Sequence, residues 1–400
     1  MTTSQEKQIE NKLHNICDYV VKKEFNQHIG LMSGMIGEII FLAYYSRHFK
    51  NNDIADSIKP RLEYVLNKIN SGDNYPTFAG GICGINWALE HLNKYEFIDY
   101  DINELYDSSD EFLKEWMINY ILNSNYDFLH GALGIANYFS ERNSEKTNMY
   151  INEFISILEP KCDKFKDIDA LGVQSTIYST GTPFKAYNFS LSHGMTSILY
   201  FLQKCENKLQ LNDNGKSSQI FNGILNFFKH HKNDISKYNS YYPTWIDGEN
   251  SIKNARIAWC YGDLGIGSIF LNISRQNQSE SYKEHGVSLI NNTLNRVNPE
   301  KEIILDAAIC HGSSGLSLLY ENAYHLTNNL DYLKQSDYWL NHCLNEDKYL
   351  DGACGYKSYM GVKTGWSTET GLLEGISGIG LVLLSKLNKE NCHWKECLML

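Results

Sequence analysis

One pattern of small and apolar residues recurs along this 400-residue chain. Two small residues stand three positions apart and an apolar run follows them, as at residues 36–45 and 379–387. The seven copies begin at Gly34, Gly81, Gly131, Gly194, Gly262, Gly312 and Gly375. Self-similarity at about 50 residues is typical of repeat proteins, and the runs have helical character.

The stretches between the repeats leave room for a second helix in each unit. Residues 62–69 and 332–344 have the periodicity of amphipathic helices, so each unit is predicted to be a helical hairpin. Seven hairpins can form an open solenoid or close into a ring of two layers, and we favour the ring. The chain is predicted to be one all-α domain over 1–400, with a small insertion at 161–188 whose residues 173–182 have strand character.

The residues directly before the first small residue of each repeat favour closure. They are Ser33, Gly80, His130, His193, Tyr261, His311 and Glu374. In a ring these positions would face one common mouth. Three of the seven are histidines, although the chain has only 13, which indicates a functional site rather than a packing layer.

Cys310 and His311 are the strongest local signal for a metal. Adjacent cysteine and histidine can reach one ion from a bent backbone, and Gly312 marks a loop that enters a helix. Cys260 lies at the same repeat phase as Cys310 in the preceding repeat. Two thiolates and one imidazole suit zinc, and a fourth position left open is typical of a catalytic site. We expect that position to take a substrate thiol, which zinc would deprotonate.

Other polar residues near the repeat starts are candidates for acid–base or supporting roles. His193 is either a general acid or base, or a histidine bonded to a backbone carbonyl. Asp127 either caps a helix or orients an acid–base histidine. Arg256 pairs either with an anionic intermediate or with Asp127, and Tyr261 either donates a hydrogen bond or only packs. Asp306 either supports His311 or forms a surface ion pair.

Composition narrows the class of protein. The formal charge of −11, without a Lys/Arg run, argues against nucleic-acid binding. The N-terminus lacks the apolar core of a signal peptide, and no apolar stretch is long enough to span a membrane. The ten scattered cysteines are therefore expected to be reduced, in a cytoplasmic protein.

The sequence resembles the lanthionine synthetase C-like family, the lantibiotic cyclases. The matching motifs are Leu-Ser-His-Gly at 191–194, Trp-Cys-Tyr-Gly at 259–262 and Cys-His-Gly at 310–312, within the sevenfold glycine-pair repeat. The resemblance implies a double-layered (α/α) toroid with a small extension, to which the 161–188 insertion would correspond. It also implies zinc-dependent addition of peptide cysteine thiols to dehydroalanine or dehydrobutyrine, which forms lanthionine and methyllanthionine rings.

The resemblance assigns roles by position. Cys260, Cys310 and His311 match the zinc ligands, and the acid–base residue is matched by His193. Further active-site positions are matched by Asp127, Arg256 and Tyr261. Two departures from the family pattern are Ser197, in place of a repeat glycine, and Asp263-Leu264, where the family has a proline-containing turn.

The resemblance also implies partners. They are a dehydrated precursor peptide with leader and core, a separate dehydratase, and an exporter in a complex at the inner face of the membrane. Three alternatives stay open: addition of glutathione to dehydroamino acids in proteins, a non-catalytic zinc-bearing scaffold, and an (α/α)-toroid glycosidase that uses Asp127 and Glu374.

Overall fold

The structure is a computed structural model that describes residues 3–99, 103–177, 182–208, 211, 213–248, 251–388 and 392–400. Helices dominate the described chain. The helices are α1 (Thr3–Lys22), α2 (Met35–Phe49), α3 (Asn52–Asp56), α4 (Ile58–Asn70), α5 (Ile82–Lys94), α6 (Asn103–Leu122), α7 (Ala132–Arg142), α8 (Glu145–Leu158), α9 (Met195–Lys208), α10 (Lys216–His230), α11 (Asp263–Asn277), α12 (Glu280–Asn291), α13 (Pro299–Glu302), α14 (Ser313–Thr327), α15 (Leu330–Leu344) and α16 (Ile376–Leu387). Short 3₁₀ turns lie at Glu159–Lys161, Lys166–Ile168 and His393–Leu398.

Seven short strands accompany the helices in the described part of the chain. They are β1 (Asp163–Phe165), β2 (Ala170–Gly172), β3 (Gln174–Ile177), β4 (Phe184–Asn188), β5 (Trp245–Ile246), β6 (Ser358–Tyr359) and β7 (Trp366–Ser367). All pairings are antiparallel, in sheets ordered β1-β2, β3-β4-β5 and β6-β7. The strand expected within 173–182 is confirmed as β3, while residues 178–181 lie outside the described residues. No described helix has the length and apolar character needed to cross a bilayer.

Every predicted repeat begins a helix, at α2, α5, α7, α9, α11, α14 and α16. These helices are buried along nearly their whole length, and in α2 every residue from Met35 to Ser46 is buried. The intervening helices bury only one face. In α15 that face carries Tyr332, Ser336, Trp339 and Leu340, at helical spacing. The two classes of helix thus differ as the sequence pattern predicts.

The chain divides into two compact units, residues 1–106 with 298–398 and residues 107–297 with 399–400, hereafter unit one and unit two. In unit one, α16 packs against α14 and α2, and α2 packs against α5. The seventh repeat therefore lies beside the first. The partner of α16 is α1, from the opposite end of the chain, so this hairpin is completed by the N-terminal helix.

Backbone hydrogen bonds join the loops that precede these helices in unit one. Met32 N donates to Ala79 O at 2.8 Å, and Leu373 N donates to Met32 O at 2.8 Å. Cys310 N donates to Leu373 O at 3.2 Å. The loops of the sixth, seventh, first and second repeats are consequently held in a chain that does not depend on side-chain identity.

In unit two, α7 and α11 pack on either side of α9. Helices α8, α10 and α12 each pack on the preceding glycine-bearing helix, so the predicted hairpins are confirmed here. The insertion at 161–188 contains β1–β4. Its last strand, β4, also pairs with β5, which comes from the segment between α10 and α11.

The repeat glycines allow each helix start to approach the carbonyl groups of its own preceding loop. At Gly84, a Cβ atom would lie 1.9 Å from Phe78 O and 2.9 Å from the Leu31 Cβ. Neither neighbour is the end of a flexible side chain, so a larger residue must displace backbone. At Gly80, four residues earlier, a Cβ would meet only Thr77 Oγ1 at 3.9 Å.

Gly84→Ala is therefore expected to lower the free energy of unfolding by about 1–3 kcal/mol, the usual cost of overpacking. Gly80→Ala is the matched control and should change it by less than about 0.5 kcal/mol. Urea unfolding followed by circular dichroism measures both. Equal stability of the two variants would contradict the close-approach explanation.

Candidate active site and metal ligands

The imidazole of His193 and the carboxylate of Asp127 form a short contact in unit two. His193 Nδ1 and Asp127 Oδ2 are 2.6 Å apart. The other carboxylate oxygen, Oδ1, accepts the backbone N–H groups of Leu129 at 2.7 Å and His130 at 2.8 Å. Asp127 thus shapes the turn before α7 and orients His193, rather than capping the helix, whose N-cap is Gly131. The alternative of a histidine bonded to a carbonyl is wrong for this ring.

The backbone of His193 is fixed as well as its ring. Its N–H donates to Ser190 Oγ at 3.0 Å, and its carbonyl accepts from Ser175 Oγ at 3.1 Å. Ser190 is itself held, because its N–H donates to Asn188 Oδ1 at 2.9 Å. Hydrogen bonds therefore hold the backbone of His193 on both sides, while Asp127 holds Nδ1 of its ring. Nε2 is the ring nitrogen left to exchange a proton with a ligand.

The surroundings shift the pKa values of this group. Burial disfavours the charged imidazole of His193, but the carboxylate of Asp127 outweighs burial and raises the pKa of His193. Burial would raise the pKa of Asp127, but the nearby imidazoles hold it below its ordinary value. The pKa of His130 is lowered, mainly by burial. Asp127 is therefore an anion, and a proton stays on His193 to higher pH than on an ordinary histidine.

A cavity of about 360 Å³ opens beside this pair in unit two. Three of the residues that precede repeat glycines line it, namely His130, His193 and Tyr261. The rings of His130 and His193 lie nearly parallel, with centroids 6.2 Å apart. The other lining residues are Asn125, Asp127, Ser175, Thr176, Ile177, Asn188 and Trp245. Residues at one phase of the repeat therefore line a common cavity within this unit.

Tyr261 provides a neutral hydroxyl in the cavity. Burial raises its pKa to about 12, so the hydroxyl keeps its proton at physiological pH. Asn188 Nδ2 donates to this hydroxyl at 3.4 Å. The next residue, Gly262, has φ +87° and ψ −179°, and a Cβ there would lie 1.9 Å from Arg256 O. Only glycine fits this backbone, which sets the direction in which Tyr261 leaves the loop.

Arg256 lies four residues before Cys260, in the loop that leads to it. Among the described residues, no ion pair joins Arg256 to Asp127. The Asp127 Oδ2 atom contacts His193 instead. Its side chain is half-buried and does not line the cavity. The alternative of a pair between Arg256 and Asp127 is therefore wrong.

Cys260 lies in the same unit, on the loop that carries Tyr261. It is 5% exposed, and its carbonyl accepts the N–H groups of Leu191 at 3.1 Å and Ser192 at 3.3 Å. These hydrogen bonds tie the fifth-repeat loop to the fourth-repeat loop just before His193. The backbone therefore fixes Cys260 relative to His193 and its partner Asp127.

Cys310 and His311 lie in unit one. The Cys310 sulfur and a ring nitrogen of His311 are within 4.8 Å of each other, a separation at which both can ligate one ion. His311 Nδ1 lies 3.9 Å from the carboxylate of Glu374, the residue that precedes the seventh repeat glycine. This separation is too long for a hydrogen bond, so the contact is electrostatic.

Asp306 is buried rather than part of a surface ion pair. It is 1% exposed, so it forms no surface ion pair, and its carboxylate accepts two backbone N–H groups. These are Ala308 N at 3.0 Å and Tyr359 N at 2.8 Å. Asp306 O also accepts from Ser313 N at 3.0 Å. Asp306 therefore shapes the loop that carries Cys310 and His311.

The chemistry of these donors fits zinc. Soft thiolates and an imidazole select zinc over magnesium or calcium, which prefer oxygen. Cys260, Cys310 and His311 supply two thiolates and one imidazole, the donor set from which the sequence predicts zinc.

Sequence reasoning missed the cavity wall built by the sheet. Ile177 lies on β3 and Trp245 on β5, far apart in sequence, and neither carries a chemical signature. The Asp247-Gly248 dipeptide after Trp245 is a hairpin signal that could have placed a turn there. Asn188 stands six residues before Gly194, as Asp306 does before Gly312, and this shared phase could have identified it.

Three features point to one family. They are the repeated helical hairpins, the pair of His193 and Asp127, and the Cys-His loop. Residues 4–399 match the family described as lanthionine synthetase C-like protein, and the chain belongs to it.

Two relatives support this assignment. Nisin biosynthesis protein NisC from Lactococcus lactis subsp. lactis is 24% identical over 396 residues, which cover 92% of this chain and 88% of NisC. The solved structure of nisin cyclase is similar with a TM-score of 0.76 at 21% identity, and the match covers 100% of this chain and 98% of that one. The predicted all-α (α/α) toroid is thereby confirmed.

Asp127→Asn is expected to lower the pKa of His193. The substitution removes the charge that opposes burial, so the pKa should fall below that of an ordinary histidine. NMR titration of the histidine ring signals measures the shift. Asp163→Asn, which alters an exposed carboxylate in the same unit, is the control. An unchanged His193 pKa in Asp127→Asn would contradict the proposed coupling.

Proposed function

We propose that this protein is a zinc-dependent lanthipeptide cyclase. It would join cysteine thiols of a dehydrated precursor peptide to dehydroalanine or dehydrobutyrine residues of the same peptide, forming lanthionine and methyllanthionine rings. The observation that carries the proposal is the 2.6 Å contact between His193 and Asp127 in a cavity that can admit a peptide segment. Membership of the lanthionine synthetase C-like family supports the same reaction.

The reaction needs one nucleophile and one proton donor. The thiolate sulfur forms a bond to the β-carbon, while the double-bond electrons move toward the carbonyl and give an enolate. A proton then adds to the α-carbon. The proton lost by the thiol balances the proton gained by the product, so no oxidant or reductant is consumed.

His193 is proposed to supply the α-carbon proton. Its raised pKa keeps the imidazolium populated near neutral pH, and Asp127 stabilises that form. The neutral hydroxyl of Tyr261 can donate a hydrogen bond to developing negative charge. A role for Arg256 in stabilising the enolate would require its side chain to reach the substrate. The rate should fall as pH rises through the pKa of His193.

Cys260, Cys310 and His311 are proposed to hold the zinc ion. Cys310 and His311 lie close enough in unit one to ligate one ion, and Cys260 adds the second thiolate of a set that suits zinc. Zinc bound to these ligands would supply a Lewis-acidic centre that lowers the pKa of a substrate thiol. The backbone bonds at Cys260 O and Cys310 N restrain both ligand loops, which reduces the cost of ordering them on binding.

The other functional hypotheses fit less well. A glycosidase would need Asp127 as a catalytic acid or a free base, but its lowered pKa and its bond to His193 argue against both roles. If the protein were a non-catalytic scaffold, the His193–Asp127 pair would have no chemical role. Addition of glutathione would use the same residues, so only a choice of nucleophiles offered to the enzyme separates it from ring formation.

Partners and location follow from this proposal. The 400 residues would act as one toroidal domain with residues 161–188 as its extension, in the cytoplasm. A separate dehydratase would supply the substrate and an exporter would remove the product, with the complex at the inner face of the membrane.

Two variants separate metal binding from proton transfer. Cys310→Ala is expected to lose zinc and ring formation, because one ligand is gone. His193→Ala should keep about one zinc per chain but lose ring formation. Cys392→Ala changes a half-exposed cysteine outside the ligand group and should keep both.

Metal analysis measures the zinc, and a dehydrated cysteine-containing peptide serves as substrate. Ring formation does not change mass, so it is read as loss of thiol alkylation by mass spectrometry. Wild-type protein purified without zinc, or a fully active Cys310→Ala, would overturn the zinc proposal. Full activity in His193→Ala would show that another group delivers the proton.

A further inference from the structure

We propose that Ile177 and Trp245 form an apolar subsite for a bulky apolar side chain next to the dehydroamino acid of the substrate. This inference rests on the proposed function and deepens it. It concerns which peptide sequences the enzyme prefers.

The cavity has two chemically different sides. The loops before α7, α9 and α11 supply its titratable groups, whereas the sheet supplies Thr176, Ile177 and Trp245. Two of the polar lining residues near the sheet, Ser175 and Asn188, are already engaged. Ser175 Oγ donates to His193 O, and the Asn188 amide bonds Ser190 N and Tyr261. The sheet side therefore offers mainly apolar surface to a ligand.

Trp245 contacts both Tyr261 and the insertion at 161–188. Its ring lies edge-on to Tyr261 with centroids 6.4 Å apart, and to Phe184 on β4 with centroids 6.2 Å apart. A side chain that packs on Trp245 would thus lie close to the Tyr261 hydroxyl and His193. Such a position suits a residue adjacent to the one being protonated.

The backbone holds Trp245 in place before any ligand binds. β5 pairs with β4, so Trp245 lies opposite Asn188, and Ile252 N donates to Trp245 O at 3.1 Å. The segment that leads to β5 is anchored by buried Asp263, whose carboxylate accepts Tyr241 N at 2.7 Å. A preorganised aromatic surface loses little entropy on binding.

Asp263 also accepts a hydrogen bond from a third segment of the unit. Asn292 Nδ2 donates to the same carboxylate at 2.9 Å, so one side chain joins the start of α11 to two other segments. The residue that follows Gly262 thereby supports the hairpin carrying Trp245.

The size of the cavity fits more than the reacting residue alone. About 360 Å³ lies at the lower end of volumes typical of ligand pockets. That space accommodates a dehydroalanine unit with one neighbouring side chain. A basic neighbour could instead stack on Trp245 by a cation–π contact, but the imidazolium of His193 disfavours a second cation beside it.

Three synthetic peptides test the subsite, with leucine, glycine or lysine directly before dehydroalanine and without cysteine. Their dissociation constants are measured by calorimetry on the zinc-loaded protein. Wild type should bind the leucine peptide about tenfold more tightly than the glycine peptide, because a large apolar side chain is buried. Trp245→Ala should lose that preference, and Trp245→Phe should retain most of it.

Trp116→Ala provides the matched control, because Trp116 is also half-buried and packs on two aromatic rings of the same unit, outside the cavity. It should bind as wild type does. Ile177→Ala tests the subsite from β3 and does not depend on the hairpin fold. With cysteine-containing versions, the Trp245→Ala effect should fall on KM more than on kcat.

Tighter binding of the lysine peptide, no preference in wild type, or a preference that survives in both Trp245→Ala and Ile177→Ala would overturn the subsite. Failure of the proposed function is distinguishable. Wild type that binds the leucine peptide preferentially but forms no ring in the cysteine-containing version would retain the subsite and refute the cyclase. Ring formation without any preference for the leucine peptide would support the cyclase and refute the subsite.

Discussion

The short contact between His193 and Asp127 is the interaction on which the proposed chemistry depends. A buried imidazole by itself would lose its proton below neutral pH, and a buried carboxylate by itself would gain one. Together they hold the proton on the histidine and keep the carboxylate charged. The pair therefore keeps a proton on a fixed imidazole to higher pH than an isolated histidine would.

The repeat architecture makes this contact possible. Asp127 lies before the third repeat helix and His193 before the fourth, 66 residues apart in sequence. Each lies in a loop whose glycine lets the helix start approach loop carbonyls closely. Backbone hydrogen bonds then join neighbouring loops, as between Leu191 N and Cys260 O. Side chains at one phase of the repeat are consequently brought together whatever their chemistry, which leaves those positions open to functional residues.

Much of the fold could be predicted because repetition makes its signal redundant. A pair of small residues with an apolar run occurs seven times, and six of the pairs are glycines, so the single departure at Ser197 does not hide the pattern. The hydroxyl of Ser197 is accommodated by a hydrogen bond to Gly194 O at 2.8 Å. The pairing of α1 with α16 could not be predicted, because the N-terminal helix carries no repeat glycine that would assign it to a hairpin.

The candidate site was predictable where chemistry and repeat phase coincide, as at His193 and Tyr261. It was not predictable where tertiary pairing decides. Trp245 reaches the cavity through its pairing with β4, and a two-residue strand leaves little trace in sequence. Asp306 was misjudged because a buried carboxylate bonded to backbone N–H groups has the same sequence signature as a surface one.

The configuration of the product tests the central claim, that a positioned His193 delivers the α-carbon proton. Lanthionine released by hydrolysis can be resolved by chiral chromatography. The account predicts one configuration at the new α-centre from wild type. It predicts both configurations in the slow residual product of His193→Ala, since solvent would protonate either face. A single configuration at undiminished rate from His193→Ala would contradict it.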